Sequence, residues 1–226
     1  MVPLVSEEEA KVRIARRIAE EFAGADHELV INLGVGIPTL VANYIQKADV
    51  FIQAENGILG VGPLAVGERI DRQLINAGRQ PVTETPGCSY FDSAASFGMI
   101  RGGHVDATVI GAFQVDQDGN IANWIIPNGK QLGVGGAMDL ITGARQVIIG
   151  MQHTTRDGKP KLVKRCTLPV TGFAEADLVV TELGLFAFED GKLILREIAP
   201  EVTVEALTAL TEAAFIIAPG LKTMAA

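Results

Sequence analysis

The chain is short of aromatic residues, of cysteine and of positive charge, and each shortage closes off a class of protein. Of 226 residues only 5% are aromatic and two are cysteine, while 19 Lys and Arg stand against 27 Asp and Glu, a formal net charge of -8. Hydrophobic residues still make up 48% of the sequence, so the core must be built from Val, Ile, Leu and Ala; that is ample for a well-buried interior. Cys88 and Cys166 fall in no Cys-x-x-Cys or metal-ligand spacing, which excludes a disulfide framework and fits a reducing, cytoplasmic setting. An acidic chain offers no basic face for phosphate neutralisation, so no nucleic-acid partner is expected. There is no apolar run of about 18 residues, hence no expected membrane span. Met1 to Val5 runs straight into Ser6-Glu7-Glu8-Glu9, too short a lead for a secretory signal core.

Several catalytic signatures are missing as well. His27, His104 and His153 are scattered without metal-ligand spacing and read as surface or satisfied core histidines; no metal is expected. There is no Gly-x-Ser-x-Gly elbow, no phosphate loop ending in Gly-Lys-Ser/Thr, and no evident pair of carboxylates for glycoside chemistry. Gly34-x-Gly36 with an acid 19 residues further on resembles a dinucleotide fingerprint only in part, because Thr39 stands at the third glycine position and Pro38 at the helix entry.

Glycine, by contrast, is abundant at 25 residues, and it punctuates a pattern of short strands and helices. Ser6 and Glu9 form a capping-box signature, followed by Ile14, Ile18 and Phe22 at helical spacing as far as Gly24. Residues 29–33 read as a strand, Gly34 to Pro38 as a turn with Pro38 opening a helix to about Ile45, and residues 50–53 as the next strand, a β-α-β unit with a right-handed crossover. A helix is expected over 91–100, strands over 105–111 and 121–126 joined at Asp118-Gly119-Asn120, a short helix over 137–142 and a strand over 147–151. Turns at 156–159 and 189–191 predict hairpins between 147–153 and 161–166 and between 184–188 and 192–197, and a last helix occupies 199–214, starting near Thr203. The class is α/β: a single open mixed, mainly parallel sheet flanked by helices, with antiparallel hairpins late in the chain, in one domain spanning 1–226.

Glu55 is the residue best placed for chemistry. It follows the strand-like run Val50-Phe51-Ile52 and precedes Gly57, Gly60 and Gly62, at the end of a buried strand where open α/β sheets bind ligands. Taken alone it also reads as an ordinary loop carboxylate. A carboxylate so placed can attack an activated acyl carbon, and the Gly135-Gly136 turn can offer a backbone N–H to the resulting oxyanion, although on the sequence alone a plain helix entry is the favoured reading. Arg156, Lys159, Lys161, Lys164 and Arg165 crowd one hairpin, best read as a solvated edge.

The string Gln53-Ala54-Glu55-Asn56-Gly57-Ile58-Leu59-Gly60 resembles the catalytic segment of the family I CoA-transferases, in their β chain or C-terminal half. Residues 32–44, 74–78, 97–104, 122–124, 135–140 and 181–183 agree in order and spacing, so the likeness covers about residues 8–200. Within the family it runs closest to the B subunits of acetate or butyrate:acetoacetate and 3-oxoacid CoA-transferases. The resemblance implies that Glu55 is the nucleophile, that ping-pong exchange between an acyl-CoA and a short carboxylic acid passes through a glutamyl-CoA thioester, and that no metal or bound organic cofactor takes part. It implies Gly136 as an oxyanion donor, with Gly135 the next candidate should the register differ by one, and Gly34, Val35, Gly36, Ile37 and Pro38 as the border of the CoA arm. It further implies a separate A subunit, with the active site at the seam. An acyl-CoA hydrolase on the same scaffold, or a non-catalytic subunit, are the alternatives. Ala54 stands where the family usually has serine, and residues 127–132 depart from its usual Pro-Gly-Lys pattern.

Overall fold

The computed structural model of the protein describes residues 5–127, 129 and 133–225. Helix α1 (Glu7–Ala23) opens with the expected capping box: Glu9 N–H donates to Ser6 Oγ at 3.2 Å and Ser6 N–H donates to Glu9 Oε2 at 2.8 Å, so two otherwise unpaired N–H groups are satisfied reciprocally. Its buried face carries Ile14, Ile18 and Phe22. Strand β1 (Leu29–Leu33), helix α2 (Ile37–Val41) and strand β2 (Val50–Ala54) form the expected β-α-β unit, the strands parallel with Leu29 opposite Val50 and Asn32 opposite Gln53. The helix stops at Val41, well short of Ile45.

The chain then doubles back through β3 (Ile58–Leu64) and β4 (Val82–Tyr90), both antiparallel, before α3 (Ser93–Arg101), which Asp92 caps through a 2.8 Å bond from Ala95 N–H. There follow β5 (Ala107–Ile110), β6 (Gln114–Asp116), β7 (Ile121–Ala122), α4 (Ala137–Gly143), β8 (Val147–Gly150) and β9 (Leu162–Val163). The chain closes with β10 (Leu178–Val180), β11 (Gly184–Glu189), β12 (Lys192–Ile198), α5 (Val204–Ala209) and β13 (Ile216–Thr223).

Ten strands make one open mixed sheet in the order β13-β12-β11-β10-β8-β5-β1-β2-β3-β4, as expected for the class; β6, β7 and β9 add a separate three-stranded sheet. The run from β10 to β2 is parallel throughout. Its inner members β5 and β8 are buried along their whole length, which is why they read as unbroken apolar runs rather than alternating ones. Helices α1 and α2 cover the face that carries Ile31 and Val109, whereas α3 and α4 cover the face that carries Val30. The outermost strands, β4 and β13, each contain a Pro-Gly pair, Pro86-Gly87 and Pro219-Gly220.

Four sequence expectations are corrected. Only Ile121–Ala122 of the 121–126 segment is strand, and the turn at 118–120 joins β7 to β6, not to 105–111; both edges of β5 are already taken by β1 and β8. The 156–159 turn does form, with Thr155 N–H donating to Lys159 O at 2.8 Å. The arms pair only next to it, through Thr154 opposite Pro160 and Lys161 N–H donating to His153 O at 3.0 Å; farther out β8 lies between β5 and β10 while β9 runs parallel to β6. The last helix is confined to Val204–Ala209, capped by Thr203, and the helix after Pro38 is a single short one. The hairpin at 189–191 between β11 and β12 is present as read.

Candidate active site

Strands β2 and β3 pair through Gln53 with Leu59 and Ala54 with Ile58, which leaves Glu55, Asn56 and Gly57 as a three-residue hairpin loop closed by Gly57 N–H to Ala54 O at 2.9 Å. Such loops end on a residue with positive φ. Gly57 has φ 119°, and a β-carbon there would collide with Phe91 O, so only glycine fits. Phe91 N–H in turn donates to Gly57 O at 3.0 Å, and Asn56 Nδ2 donates to Ile75 O at 2.8 Å. Glu55 is thereby held half-buried at the carboxyl end of β2.

Its side chain is fixed from β1. Asn32 Nδ2 donates to Glu55 Oε2 at 3.2 Å, and also to Gln53 O at 3.1 Å and Gln53 Oε1 at 2.8 Å. Gln53 Nε2 donates to Ser96 Oγ on α3 at 2.8 Å. Gly136, at the start of α4, comes up on the other side: a β-carbon on it would stand 3.4 Å from Glu55 Cγ and 3.1 Å from Phe97 Cζ. No side chain caps α4, and Gly135 precedes it in the left-handed region at φ 53°. Arg101, on the same helix as Phe97, ties α3 to α4 through a 2.6 Å bond to Asp139. The Gly34–Pro38 turn leaves β1 on the strand neighbouring β2. Gly34 N–H donates to Val109 O at 2.8 Å, and a β-carbon at Gly34 would approach that oxygen to 3.2 Å. Thr39 Oγ1 donates back to Gly34 O at 2.9 Å.

Other nucleophiles and bases are not arranged for chemistry. Burial pushes the Cys88 thiol up, and burial with Asp116 beside it pushes the Cys166 thiol up to about 12, so neither supplies a thiolate. The Glu84 carboxylate, accepting from Tyr90 Oη at 2.5 Å, raises the phenol well above its usual range. His153 is fully buried between Thr181 Oγ1 at 3.0 Å and Thr211 Oγ1 at 2.9 Å, and burial lowers its pKa to about 4; it is a satisfied core histidine, as expected.

Thus the structure brings the sequence-predicted Glu55 and Gly136 together, with Gly135 adjoining, while the turn of Gly34, Val35, Gly36, Ile37 and Pro38 leaves the carboxyl end of the neighbouring strand β1. The basic hairpin disperses: Arg156 pairs with Glu7 and Lys159 with Asp157 at the surface, while Lys161 is half-buried, its pKa lowered by desolvation to about 8. Of the 127–132 stretch, residues 128 and 130–132 lie outside the described residues. Sequence reasoning passed over Asn32, Gln53, Ser96 and Phe97. The available signal was a polar side chain, Asn32, inside the apolar run Leu-Val-Ile-Asn-Leu. A cleft of about 570 Å³ opens on the opposite face of β2, walled by Leu33, Thr39, Ile52, Ala54 and Val61.

The family model described as Coenzyme A transferase matches residues 11–210. The chain is 48% identical over 216 residues to the β subunit of acetate CoA-transferase from Escherichia coli K12, covering 95% of this chain and 97% of that one. It is 43% identical over 210 residues to the B subunit of a probable succinyl-CoA:3-ketoacid coenzyme A transferase from Bacillus subtilis, covering 92% and 96%. In three dimensions it is similar to an acyl-CoA transferase apoenzyme from Escherichia coli O157:H7, with a TM-score of 0.77, 23% identity, and coverage of 98% of this chain and 44% of that one.

Proposed function

The chain belongs to the coenzyme A transferase family, and from that premise we propose that it is the B subunit of an enzyme moving CoA between a short acyl-CoA, acetoacetyl-CoA included, and a carboxylic acid such as acetate, with Glu55 as nucleophile. The observation that carries the reading is the setting of that carboxylate: lifted onto a tight hairpin, gripped at Oε2 by Asn32 and met at Cγ by the glycine that opens α4.

Each reaction step then has a group to perform it. Glu55 attacks the thioester carbonyl, giving an acyl-glutamyl anhydride and the CoA thiolate. The thiolate attacks the glutamyl carbonyl, forming the glutamyl-CoA thioester and releasing the first acid; the second acid takes CoA by the reverse sequence. Splitting the exchange into two covalent halves lowers each barrier. In both halves negative charge develops on a carbonyl oxygen beside Glu55, and the N–H of Gly136, with Gly135 next to it, is the donor we assign to that charge, an interaction worth roughly 3 kcal/mol in other acyl-transfer sites. The Gly34–Pro38 turn, on the adjoining strand, is assigned to the CoA arm, whose binding energy can drive the reacting centre toward its transition state.

Glu55 is open to solvent on one side. Val35 in the Gly34–Pro38 turn, Tyr90 at the end of β4 and Met138 in the first turn of α4 expose 66%, 56% and 49% of their surface. Large apolar side chains so placed support closure of the site by a partner, the A subunit. The two relatives are themselves named as the β and B members of multi-subunit enzymes. The free thiols of Cys88 and Cys166 support a reducing cytoplasmic location; among the described residues no helix is long and apolar enough to cross a membrane.

The test is the intact mass of this chain, paired with its A subunit, after incubation with acetoacetyl-CoA and no acceptor acid. A CoA-sized adduct on the peptide that holds Glu55 is expected. Turnover without any adduct there overturns the reading, and turnover independent of added acid makes the enzyme a hydrolase.

A further inference from the structure

We propose that Gln53 and Ser96 are positioning residues for Glu55, holding the Asn32 amide in the one orientation that presents its N–H to the carboxylate; the proposal rests on the reading of Glu55 as nucleophile. Asn32 is in register with Gln53 on β2 and with Thr108 on β5, so three polar side chains lie side by side across the parallel centre of the sheet, on the face covered by α3 and α4. All three are within 1% of complete burial, and so is Ser96 above them. A buried polar row of this kind costs stability wherever a member lacks a partner, so its hydrogen bonds show which contacts hold which groups.

Three acceptors surround Asn32 Nδ2: Gln53 O, Gln53 Oε1 and Glu55 Oε2. Asn32 Oδ1 has no partner among the described residues, so no donor grips the amide from its oxygen side, and the acceptors around the nitrogen alone decide how it points. Turned over, the amide would set its oxygen against three others. Gln53 contributes two of the three acceptors, its Oε1 facing the Asn32 N–H while its own Nε2 donates to Ser96 Oγ at 2.8 Å. Were the Gln53 amide reversed, two N–H donors would confront each other across 2.8 Å. A hydroxyl on α3 therefore anchors the far end of a chain of hydrogen bonds that ends on the reacting carboxylate. Thr108 shares the row and its burial, but its Oγ1 bonds to none of the described residues, which makes it an internal control.

The experiment compares Ser96→Ala, Ser96→Thr, Gln53→Met and Thr108→Val in the A/B complex, reading the single-turnover rate of the Glu55 adduct by quenched mass analysis, the KM for acyl-CoA and the thermal midpoint. Ser96→Ala and Gln53→Met should slow adduct formation about 10- to 100-fold, the loss that a small misplacement of a reacting group brings, with KM within about twofold of the unmodified complex. Ser96→Thr, which keeps the hydroxyl, should restore most of the rate, and Thr108→Val should leave it unchanged. The proposal is overturned if Ser96→Ala and Gln53→Met react at the unmodified rate. It is also overturned if Thr108→Val slows the reaction as much as they do with thermal midpoints falling in parallel, since the row is then only structural. If the unmodified complex forms no adduct at Glu55, the nucleophile reading itself fails, and the positioning role falls with it.

Discussion

Gly136 rests against Glu55: a β-carbon added to the glycine would stand 3.4 Å from Glu55 Cγ, with the Phe97 ring at 3.1 Å on its other side. A methyl group there would touch Glu55 and would need the Phe97 ring to give by a few tenths of an ångström. Gly136→Ala is expected to lower kcat about 10- to 100-fold through misplacement of the nucleophile and its oxyanion donor, while far-ultraviolet circular dichroism stays that of the parent. A variant with parental kcat would separate the start of α4 from the chemistry.

Asn32 is the only side chain that donates to Glu55 among the described residues. A hydrogen bond to a charged acceptor contributes about 1.5–3 kcal/mol, so Asn32→Ala should cost kcat roughly 10- to 100-fold if the contact persists in the transition state. Asn32→Asp, which sets a second carboxylate against the first, should be worse still. Steady-state kinetics on the A/B complex checks both, and an Asn32→Asp enzyme as active as Asn32→Ala would contradict the repulsion.

Gly57 tests the loop rather than the reaction. Its φ of 119° and the collision of an added β-carbon with Phe91 O leave no relaxed conformation for alanine. Gly57→Ala should destabilise the fold by about 2–4 kcal/mol, from backbone strain plus overpacking, seen as a lower denaturant midpoint with activity lost alongside. An unchanged midpoint would mean that the hairpin opens freely.

His153 gives the pH dependence of stability. Its folded pKa of about 4 lies below the ordinary value of 6.5 because burial disfavours the charged ring, with Lys161 adding to the effect. Between those values the unfolded chain binds the extra proton, so the stability due to neutral His153 is complete above pH 6.5 and is lost as pH falls toward 4, about 3 kcal/mol in all. Urea midpoints taken across about pH 4–7 should show that slope, and His153→Gln should flatten it. Equal slopes in the two proteins would assign the effect to other groups.

Much of the site was legible in the sequence because its frame is local. The β1–α2–β2 unit obeys strand alternation, a glycine turn and a proline helix start, and these carried Glu55 to the correct edge. Strands β3, β4 and β13 escaped the reading since Gly60, Gly62, Pro63, Pro86 and Pro219 break the apolar pattern, and their register shifts show the irregularity directly. The network around Asn32 was beyond a one-dimensional reading: Gln53 and Ser96 become its neighbours only when β1, β2 and α3 are packed. The Gly135-Gly136 turn could be read as a candidate oxyanion donor, but its closeness to Glu55 appears only in the packed structure, since nothing in the spacing of the two residues relates them.

The Pro-Gly pairs in β4 and β13 decide how this protein can meet others. Both outermost strands of the ten-stranded sheet would otherwise present a continuous ladder of unpaired backbone groups, an invitation to end-to-end polymerisation. Pro86 and Pro219 each lack an amide hydrogen and sit where the strand's register breaks, an irregularity that makes either margin a poor template for a foreign strand. Lengthening of the sheet from either margin is thereby disfavoured, which leaves side-chain surfaces as the better ground for contact with another chain.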